Sequence, residues 1–597
     1  MVSLRWTPSS PTLAPKPISR TFSQKRNLSF LVIGLFVLSF LLLSLNPNVQ
    51  QNSLEHLDRL KEWSSDKAQS LAEGWSDDTM IGGTLKGWLA DADANEHPKE
   101  KKECRGWNHT LSEDNDPPNC LKARQYRQTM RVLDREDKAE HDHWYFTLIH
   151  NRETLRNISM CFLPVSDPDW RLCHEKPLIL SGWWYTAEVI TGATTGEVIW
   201  QSSITKQLKM LGYSFIAVGP YLNWVEVAEM MPDVYHLIWN SDLDTVTCIT
   251  DPRCIAKAHY VPPEDGEDLS VGVPDEERGV IPIWALGIVD YWGARPREMS
   301  NNKYWWGLTE DGPWSYHPLG QEWIATPWPL PGGHYHLPYS IEDYCLKMPI
   351  KSHEERENAA LILAKRSSYF HYPHVSPPEF WTNLSQVPDF ELLSTVEVEE
   401  GKPLPEGLVT MGKQSRENYT ELVGSVKALV GMGAPPISPS IYTSLCQATP
   451  VVIPHFQEKY RMDGWWLYSS GYELKENCRH VSWSQHGPAI ALGEPWVYKY
   501  YAHNYTDLET AVRKAMSTSI ERYIPEDMKL TYTLSQLSKY LQRDLKLMFQ
   551  DVRDNNAGKI PRLKKGARER CYELNRCKKP LEAGRIPNIP PVFPSKD

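Results

Sequence analysis

A carboxylate stands where it could take a proton from a bound molecule. Glu197 follows the turn GATTG at residues 192–196, and an apolar segment that predicts a strand, 177–184, precedes this turn. Residues 202–211 predict a helix, which Gly212 ends. The side chain should therefore project at the mouth of a site, within hydrogen-bond reach of a substrate proton. The alternative is a structural glutamate that interacts favourably with the helix dipole.

Two further segments have the chemistry to meet an anionic phosphate. Lys365 directly follows the predicted strand at 359–364, and Gly431 and Gly433 end the predicted strand at 428–431. Lysine and helix N-terminal amides balance negative charge on phosphate, and glycine lets backbone approach a ligand closely. The alternative is an ordinary surface lysine and a common G-x-G turn.

Strands and helices that alternate along the chain must position these residues. The strands are predicted in two series, which a Trp-, Pro- and Gly-rich stretch at 304–338 separates: 177–184, 213–218, 235–239 and 283–289, then 359–364, 390–398, 428–431 and 450–453. Helices are predicted at 202–211, 416–426, 440–446, 508–517 and 534–549, the last two capped by Thr506-Asp507 and Thr533. This order predicts an α/β protein with two Rossmann-like halves. Ligands of such sheets bind at the carboxyl ends of the strands, so a cleft between the halves is the expected site.

The segment at 28–45 is apolar on every face, holds no charge, and at helical rise would span roughly 27 Å, close to the hydrocarbon core of a bilayer. Only basic charges precede it, so we expect a type II anchor with a cytosolic N-terminus. A cleaved signal peptide is the alternative, but its apolar region would be shorter and would end in small residues.

The composition fits a lumenal protein and excludes one class of partner. The net charge is −11 and no tract resembles a basic groove, so nucleic acid is not expected. All eleven cysteines follow the apolar segment, and most fall in near pairs without any C-x-x-C, which favours local disulfides over zinc. The candidate pairs are Cys104/Cys120, Cys161/Cys173, Cys248/Cys254 and Cys571/Cys577. Cys345, Cys446 and Cys478 remain, and the connectivity stays open.

Glycosylation signals point to the same compartment. Five N-x-S/T sites lie beyond the apolar segment, at Asn108, Asn157, Asn383, Asn418 and Asn504. The 24 tryptophans are numerous, and we expect most in the core and a few as platforms on which sugar rings stack.

The second half resembles the type V N-acetylglucosaminyltransferases of glycosyltransferase family 18, the α-mannoside β-1,6-N-acetylglucosaminyltransferases. The resemblance covers roughly residues 175–545 and rests on the order and spacing of several motifs. They are LVGMGAPPISP at 429–439 with the following residues to 456, GEPWVY at 493–498, the helix at 507–516, ERYIPED at 521–527, GATTGEVIWQ at 192–201, ALGIVDYWG at 285–293 and AKRSSYF at 364–370.

The resemblance implies a GT-B fold and an inverting enzyme that needs no metal and no cofactor. UDP-N-acetylglucosamine would be the donor, and the acceptor would be the 6-hydroxyl of a mannose in a protein N-glycan. Glu197 takes the place of the catalytic base. Residues at the places of donor contacts are Lys365, Gly431, Gly433, Ser438, Thr443 and Glu342. Thr443 departs from the pattern, because related enzymes usually place there a glutamate that holds the ribose.

These expectations combine into the layout of a Golgi membrane enzyme with a lumenal catalytic part. The predicted order is a cytoplasmic tail at 1–27, the anchor at 28–45, a stem at 46–140, an acceptor-side domain at 141–350, a nucleotide-sugar domain at 351–550 and a tail at 551–597.

Two alternatives stay open. Asp242 and Asp244 form a D-x-D motif after a strand, which in GT-A transferases holds a metal ion against UDP, although D-x-D also occurs elsewhere in this chain. Alternatively, the chain is a lumenal glycan-binding protein without turnover, and Thr443 motivates this hypothesis.

Overall fold

The computed structural model describes fourteen ranges of the chain. They are residues 101–138, 145–171, 178–180, 196–218, 221–262, 268–291, 308–309, 312–313, 317–328, 334–372, 375–435, 438–456, 483–484 and 487–563. The chain divides into two compact units, Met1–His97 and Pro98–Asp597, and every described residue belongs to the second. The predicted anchor at 28–45 lies outside the described residues. Within the described ranges, no helix is both long and apolar enough to cross a bilayer.

The first sheet has six strands, all parallel, in the order β2-β1-β3-β4-β7-β8. Its strands are β1 Leu178–Leu180, β2 Phe215–Ala217, β3 Ile238–Asn240, β4 Leu286–Val289, β7 Ile324–Thr326 and β8 Tyr335–His336. A separate two-stranded hairpin pairs β5 Leu308–Thr309 with β6 Gly312–Pro313. Strands β2, β3 and β4 are buried along their whole length, as parallel strands covered by helices require.

The second sheet has seven strands and is parallel except at one edge. It runs β11-β10-β9-β12-β13, and β13 also pairs with β15 in parallel and with β14 in antiparallel orientation. The strands are β9 Glu357–Leu363, β10 Glu391–Ser394, β11 Val409–Thr410, β12 Val426–Gly431, β13 Val451–Phe456, β14 Trp483–Ser484 and β15 Val497–Tyr501. The predicted architecture of two mainly parallel α/β sheets is therefore confirmed.

Thirteen α-helices lie in the described ranges. They are α1 Leu121–Lys138, α2 Tyr145–Cys161, α3 Gly196–Met210, α4 Tyr221–Met230, α5 Asp242–Thr250, α6 Glu342–Lys347, α7 Pro378–Ser385, α8 Arg416–Ser425, α9 Ser440–Cys446, α10 Gly487–Ile490, α11 Tyr505–Met516, α12 Leu530–Leu541 and α13 Leu545–Asn555.

Two predicted helix starts were wrong, and a cap explains one of them. The helix predicted from 508 begins at Tyr505, because the side chain of Asn504, rather than Thr506 or Asp507, caps it and accepts a hydrogen bond from the Asp507 amide at 3.2 Å. The helix predicted from 202 begins already at Gly196. Glu197 therefore lies inside the first turn of α3.

The long helix predicted at 534–549 is two helices. α12 ends at Leu541, and the Asp544 side chain starts α13 by accepting a hydrogen bond from the Leu547 amide at 2.9 Å. Thr533 lies within α12 and does not cap it. A carboxylate that satisfies a free amide lets a new helix begin at that point. The apolar pattern continues across the break because both helices keep an apolar face.

The chain returns to the first sheet through α12 and α13. The Trp239 indole N–H donates to the Tyr540 hydroxyl at 3.0 Å, and the His236 ring lies 2.8 Å from the Leu541 carbonyl oxygen. A Cβ on Gly287 of β4 would come within 3.2 Å of the same hydroxyl, so glycine gives α12 its close approach. The C-terminal helices thus complete the layer over the first sheet.

Helix α1, within the segment predicted as stem, packs on the first sheet's helical layer. Its Val132 and Leu133 are buried in the large core cluster. Arg124 and Gln128 donate to the Asp233 carboxylate at 3.1 and 2.8 Å. Residues from 101 onward therefore contribute to the folded unit.

Disulfides link neighbouring and distant segments. The near pairs Cys104–Cys120 and Cys248–Cys254 are bonded as predicted. A third bond, Cys345–Cys446, joins α6 to the end of α9 across 101 residues of sequence. Cys161 is also disulfide-bonded. The other predicted cysteines lie outside the described residues: Cys173, Cys478, Cys571 and Cys577.

Candidate functional site

Lys365 and Gly433 lie at the same edge of the second sheet. In the pairing of β9 with β12, Leu363 stands opposite Gly431. Lys365 and Gly433 each follow their strand by two residues, so both leave the carboxyl edge side by side. Lys365 is exposed, and its carbonyl accepts from the Glu397 amide at 3.1 Å, which fixes its backbone. The register thus brings together the two predicted phosphate contacts.

The glycine turn, residues 431–435, requires glycine at one position. Gly433 has a φ of 110°, a conformation that side chains strongly disfavour. All five residues of the turn are buried, so the turn is packed in place at the carboxyl end of β12.

Helix α9 begins just after the glycine turn. Ser438 is buried and accepts a hydrogen bond from the Ser440 amide at 3.3 Å. Thr443 is half-buried, and its hydroxyl lies 3.5 Å from the Pro439 carbonyl oxygen, one turn back. The position where related enzymes carry a carboxylate therefore holds a hydroxyl bonded within its own helix.

Glu197 is held next to this helix by a close contact of its neighbour. A Cβ on Gly196 would lie 2.5 Å from the Tyr291 hydroxyl and 3.4 Å from Cδ of Pro439. Tyr291 follows β4 of the first sheet by two residues, whereas Pro439 belongs to the second half. The first turn of α3, with half-buried Glu197, is therefore packed where the two halves meet, beside the start of α9.

Aromatic rings join the halves around that contact. Trp328, which follows β7, stacks on Tyr442 of α9 with ring centroids 6.2 Å apart, and its indole N–H donates to the Tyr291 carbonyl at 2.7 Å. Tyr339 packs edge-on against the other side of Trp328. All four side chains are buried. The residues that follow β4 and β7 thus pack against α9, where the first half meets the second.

Most tryptophans whose burial is described serve the core. Seven of them are buried: Trp107, Trp200, Trp224, Trp239, Trp323, Trp328 and Trp381. This agrees with the expectation that most of these residues pack the interior. The pairs at 183–184 and 465–466 lie outside the described residues.

Glu342 joins the two segments that connect the halves. Its carboxylate accepts from the Leu530 amide at 2.8 Å at the start of α12, and the Ile341 amide donates to the Met528 carbonyl at 3.2 Å. One oxygen of Glu342 is therefore engaged in the fold. Its predicted contact with the nucleotide stays a prediction.

One titratable group, Asp527, was not predicted from the sequence. It lies just before α12 in the segment at 521–530, the returning segment, which leads the chain back to the first half. Burial raises the pKa of the Asp527 carboxyl, and the neighbouring Glu526 raises it further. Burial also raises the pKa of Tyr339, and the nearby Asp527 adds to this. The only signal in the sequence was the acidic pair inside the ERYIPED motif.

The D-x-D motif of the alternative hypothesis begins α5, beyond the carboxyl end of β3. The Ser241 side chain accepts from the Asp244 amide at 3.2 Å, so the motif forms the first turn of a capped helix. Within the described ranges, no group of three or more His, Cys, Asp or Glu side chains is arranged to hold a metal.

All five predicted glycosylation asparagines are exposed. Asn108 accepts hydrogen bonds from the amide and hydroxyl of Thr110, at 3.0 and 2.8 Å, within its own N-x-T triplet. The side chains that would carry glycans are therefore accessible.

The sequence model of glycosyltransferase family 18 matches residues 284–579. The chain carries a glycosyltransferase family 18 region. The predicted resemblance is thereby confirmed, as is the assignment of a glycosyltransferase at the level of this region. Lys365, the glycine turn, α9 and Glu342 lie within the family 18 region, whereas Glu197 precedes it.

Curated relatives agree with this family. The chain is 22% identical over 376 residues to alpha-1,6-mannosylglycoprotein 6-beta-N-acetylglucosaminyltransferase A of Homo sapiens, and the match covers 61% of this chain and 46% of that protein. The Mus musculus and Cricetulus griseus proteins of the same name match equally. The chain thus spans about half the length of the curated relatives it matches.

Among solved structures, Anabaena Alr3699/HepE in complex with UDP and glucose overlaps 65% of this chain and 100% of its own, with a TM-score of 0.31 and 9% identity.

Proposed function

We propose that this protein is an inverting, metal-independent glycosyltransferase of the GT-B type. It transfers N-acetylglucosamine from UDP-N-acetylglucosamine to the 6-hydroxyl of a mannose in a protein N-glycan. The observation that carries the proposal is the fit of Gly196 between Tyr291 and Pro439, which sets Glu197 beside the segment that follows the glycine turn. Donor and acceptor would meet between the two sheets.

Glu197 acts as the general base. It takes the proton of the acceptor hydroxyl while that oxygen attacks the anomeric carbon from the face opposite UDP, and the bond to the UDP oxygen breaks with its electron pair. One displacement on the opposite face inverts the anomeric configuration. A half-buried carboxylate at a helix start, where two halves meet, suits this role.

Lys365 and the glycine turn stabilise the leaving group. Negative charge grows on the β-phosphate as UDP departs, and a lysine and backbone amides at fixed positions meet it without a metal ion. Their shared position at the carboxyl ends of β9 and β12 supports this assignment. The amides at the start of α9 add to the positive electrostatic potential at the phosphates.

The start of α9 borders the ribose. Ser438 and Thr443 present hydroxyl groups where a carboxylate would bind the ribose. We therefore expect weaker binding of the donor than a glutamate would provide. The donor sugar and the mannose acceptor are inferred from the names of the curated relatives.

The proposed location is the Golgi membrane. The apolar segment at 28–45 would anchor a type II protein, and the catalytic part would lie in the lumen. Three described disulfides and five exposed asparagines in N-x-S/T triplets support an oxidising, glycosylating compartment.

A second candidate is a glycan-binding protein that does not turn over a donor. Thr443 favours it, because its hydroxyl is already bonded within α9 and offers no carboxylate to a ribose.

A transfer assay, together with a binding measurement, tests both candidate functions. The purified chain is incubated with a panel of UDP-sugars and defined N-glycans, with and without EDTA, and products are read by mass spectrometry. We expect addition of one N-acetylhexosamine that EDTA does not affect. Loss of transfer on chelation would instead favour a metal-dependent transferase that uses Asp242 and Asp244. Glycan binding without UDP binding, measured by calorimetry, would favour the non-catalytic candidate.

A further inference from the structure

Tyr500 connects the far side of the second sheet to the glycine turn. On β15 it stands opposite Pro454 of β13. Its side chain reaches past β13, and its hydroxyl donates to the Gly431 carbonyl at 3.0 Å. Gly431 is both the last residue of β12 and the first of the glycine turn. The hydrogen bond therefore holds the point at which the strand stops and the turn begins.

The same hydroxyl also holds a second segment. Ser376 Oγ lies 3.0 Å from it. Since the tyrosine has one hydroxyl proton and donates it to the Gly431 carbonyl, Ser376 must be the donor in this second bond. Ser376 lies on the connection that begins with Lys365 and leads to α7. One hydroxyl thus links the connections that leave β9 and β12.

This link is entirely interior. Tyr500 and Ser376 are each 0% exposed. Hydrogen bonds in such surroundings are stronger than those in water, and a lost partner leaves a buried polar group unpaired. An ordinary core tyrosine would satisfy its hydroxyl on any available carbonyl. Tyr500 instead satisfies it on the carbonyl from which the turn departs, two residues before Gly433.

We propose that Tyr500 is a positioning residue for the donor diphosphate. Through Gly431 and Ser376 it holds the glycine turn and the connection after Lys365 at a constant separation, so that backbone amides and the lysine meet the phosphates together. This inference rests on the proposed function, which places the donor at this edge. Catalytic geometry depends on such support, because small displacements of the groups around a ligand cost affinity and rate.

The chain offers a matched control two residues away. Tyr498 lies on the same strand and on the same face of β15, is also buried, and donates to Thr518 at 2.9 Å. Thr518 follows α11, away from the glycine turn. Tyr498→Phe therefore removes one tyrosine hydroxyl and its hydrogen bond without touching the donor edge, whereas Tyr500→Phe removes the two hydrogen bonds that hold the glycine turn and Ser376.

The experiment compares three variants of the full chain with the unmodified protein. UDP affinity is measured by calorimetry and the melting temperature by scanning fluorimetry. Both tyrosine variants should melt at a lower temperature, but only Tyr500→Phe should weaken UDP binding, by about fivefold, because the glycine turn and the connection after Lys365 then lose their shared partner. Ser376→Ala, which keeps the bond to Gly431, should weaken it by about twofold.

The outcomes distinguish a failure of this inference from a failure of the proposed function. If the unmodified chain does not bind UDP, the proposed function is wrong and Tyr500 has no donor to position. If it binds UDP and Tyr500→Phe binds it equally well, only the role of Tyr500 is wrong. Should Tyr500→Phe fail to fold, Ser376→Ala decides, and unchanged UDP affinity in that variant would contradict the proposal.

Discussion

The two halves hold their candidate site residues in different ways. In the second half, Lys365 and the glycine turn leave adjacent strands whose register sets their spacing directly. In the first half, Glu197 sits on a helix whose start is placed by contacts with Tyr291 and with Pro439 of the other half. The proposed donor side is thus preformed within one sheet, whereas the position of the proposed base depends on how the halves meet. Variants can test this contrast.

The largest effect should follow from Glu197→Gln. The amide cannot accept the acceptor's proton, so transfer should fall by about 10²- to 10⁴-fold, the usual contribution of a positioned acid or base. UDP affinity should stay unchanged, because the donor side does not rely on this carboxylate. Single-turnover rates and UDP calorimetry measure both. Unchanged turnover would eliminate Glu197 as the base and weaken the contrast.

The next effect should come from Gly196→Ala. Its Cβ would press on the Tyr291 hydroxyl and approach Pro439, so the start of α3 must move. We expect a loss of about 10²-fold in kcat, which a displacement of about 1 Å can cause, with UDP affinity preserved.

The double variant Gly196→Ala/Tyr291→Phe removes the oxygen nearest to the new methyl group. It should recover part of the lost kcat. A Gly196→Ala enzyme with full activity would show that the base does not depend on this contact between the halves.

A smaller effect should follow from Lys365→Met. Removal of the charge leaves the backbone amides of the glycine turn in place, so the rate and the UDP affinity should each fall by about tenfold, the usual range for a charge-assisted hydrogen bond. Lys427→Met is the matched control, because Lys427 lies on β12 and bonds Asn358 at the opposite, amino end of β9, at 3.1 Å. Equal losses in both variants would argue for a general effect of charge.

The smallest effect concerns the returning segment, and it appears in stability. Burial raises the pKa of Asp527 above its unfolded value, so the folded state favours the protonated form. The carboxyl therefore costs stability once the pH rises above the unfolded pKa of about 4, and the cost is complete above the folded pKa. Asp527→Asn should raise the melting temperature slightly at pH 7, with the gain disappearing as the pH falls below about 4. A gain that does not change with pH would assign the effect to packing.

Local pattern predicted the second half well. The strand predicted at 359–364 is β9, the strand at 428–431 lies within β12, and the helix at 440–446 is α9 without any shift. These segments carry their information locally, as apolar runs that end in glycine, lysine or proline. The candidate donor residues follow these segments directly in sequence, and that is why their shared edge could be predicted.

Local pattern failed where a cap or a distant partner decided. A single carboxylate, Asp544, divides the predicted helix at 534–549, and Asn504 moves the start of α11. The Cys345–Cys446 disulfide and the return of α12 to the first sheet join residues far apart in the chain. No window of sequence contains both partners of such contacts.

The sequence by itself determined the class of the protein: two α/β halves, a region of family 18, near-neighbour disulfides and N-x-S/T glycosylation triplets. Only the tertiary structure decided that Gly196 is a spacer between the halves, that Glu342 caps α12, and that Tyr500 holds the glycine turn. The physical reason is that strand and helix formation depends on side chains a few residues apart. The remaining assignments depend on close packing between segments far apart in the chain, which exists only once each half has folded and the two halves have packed against each other.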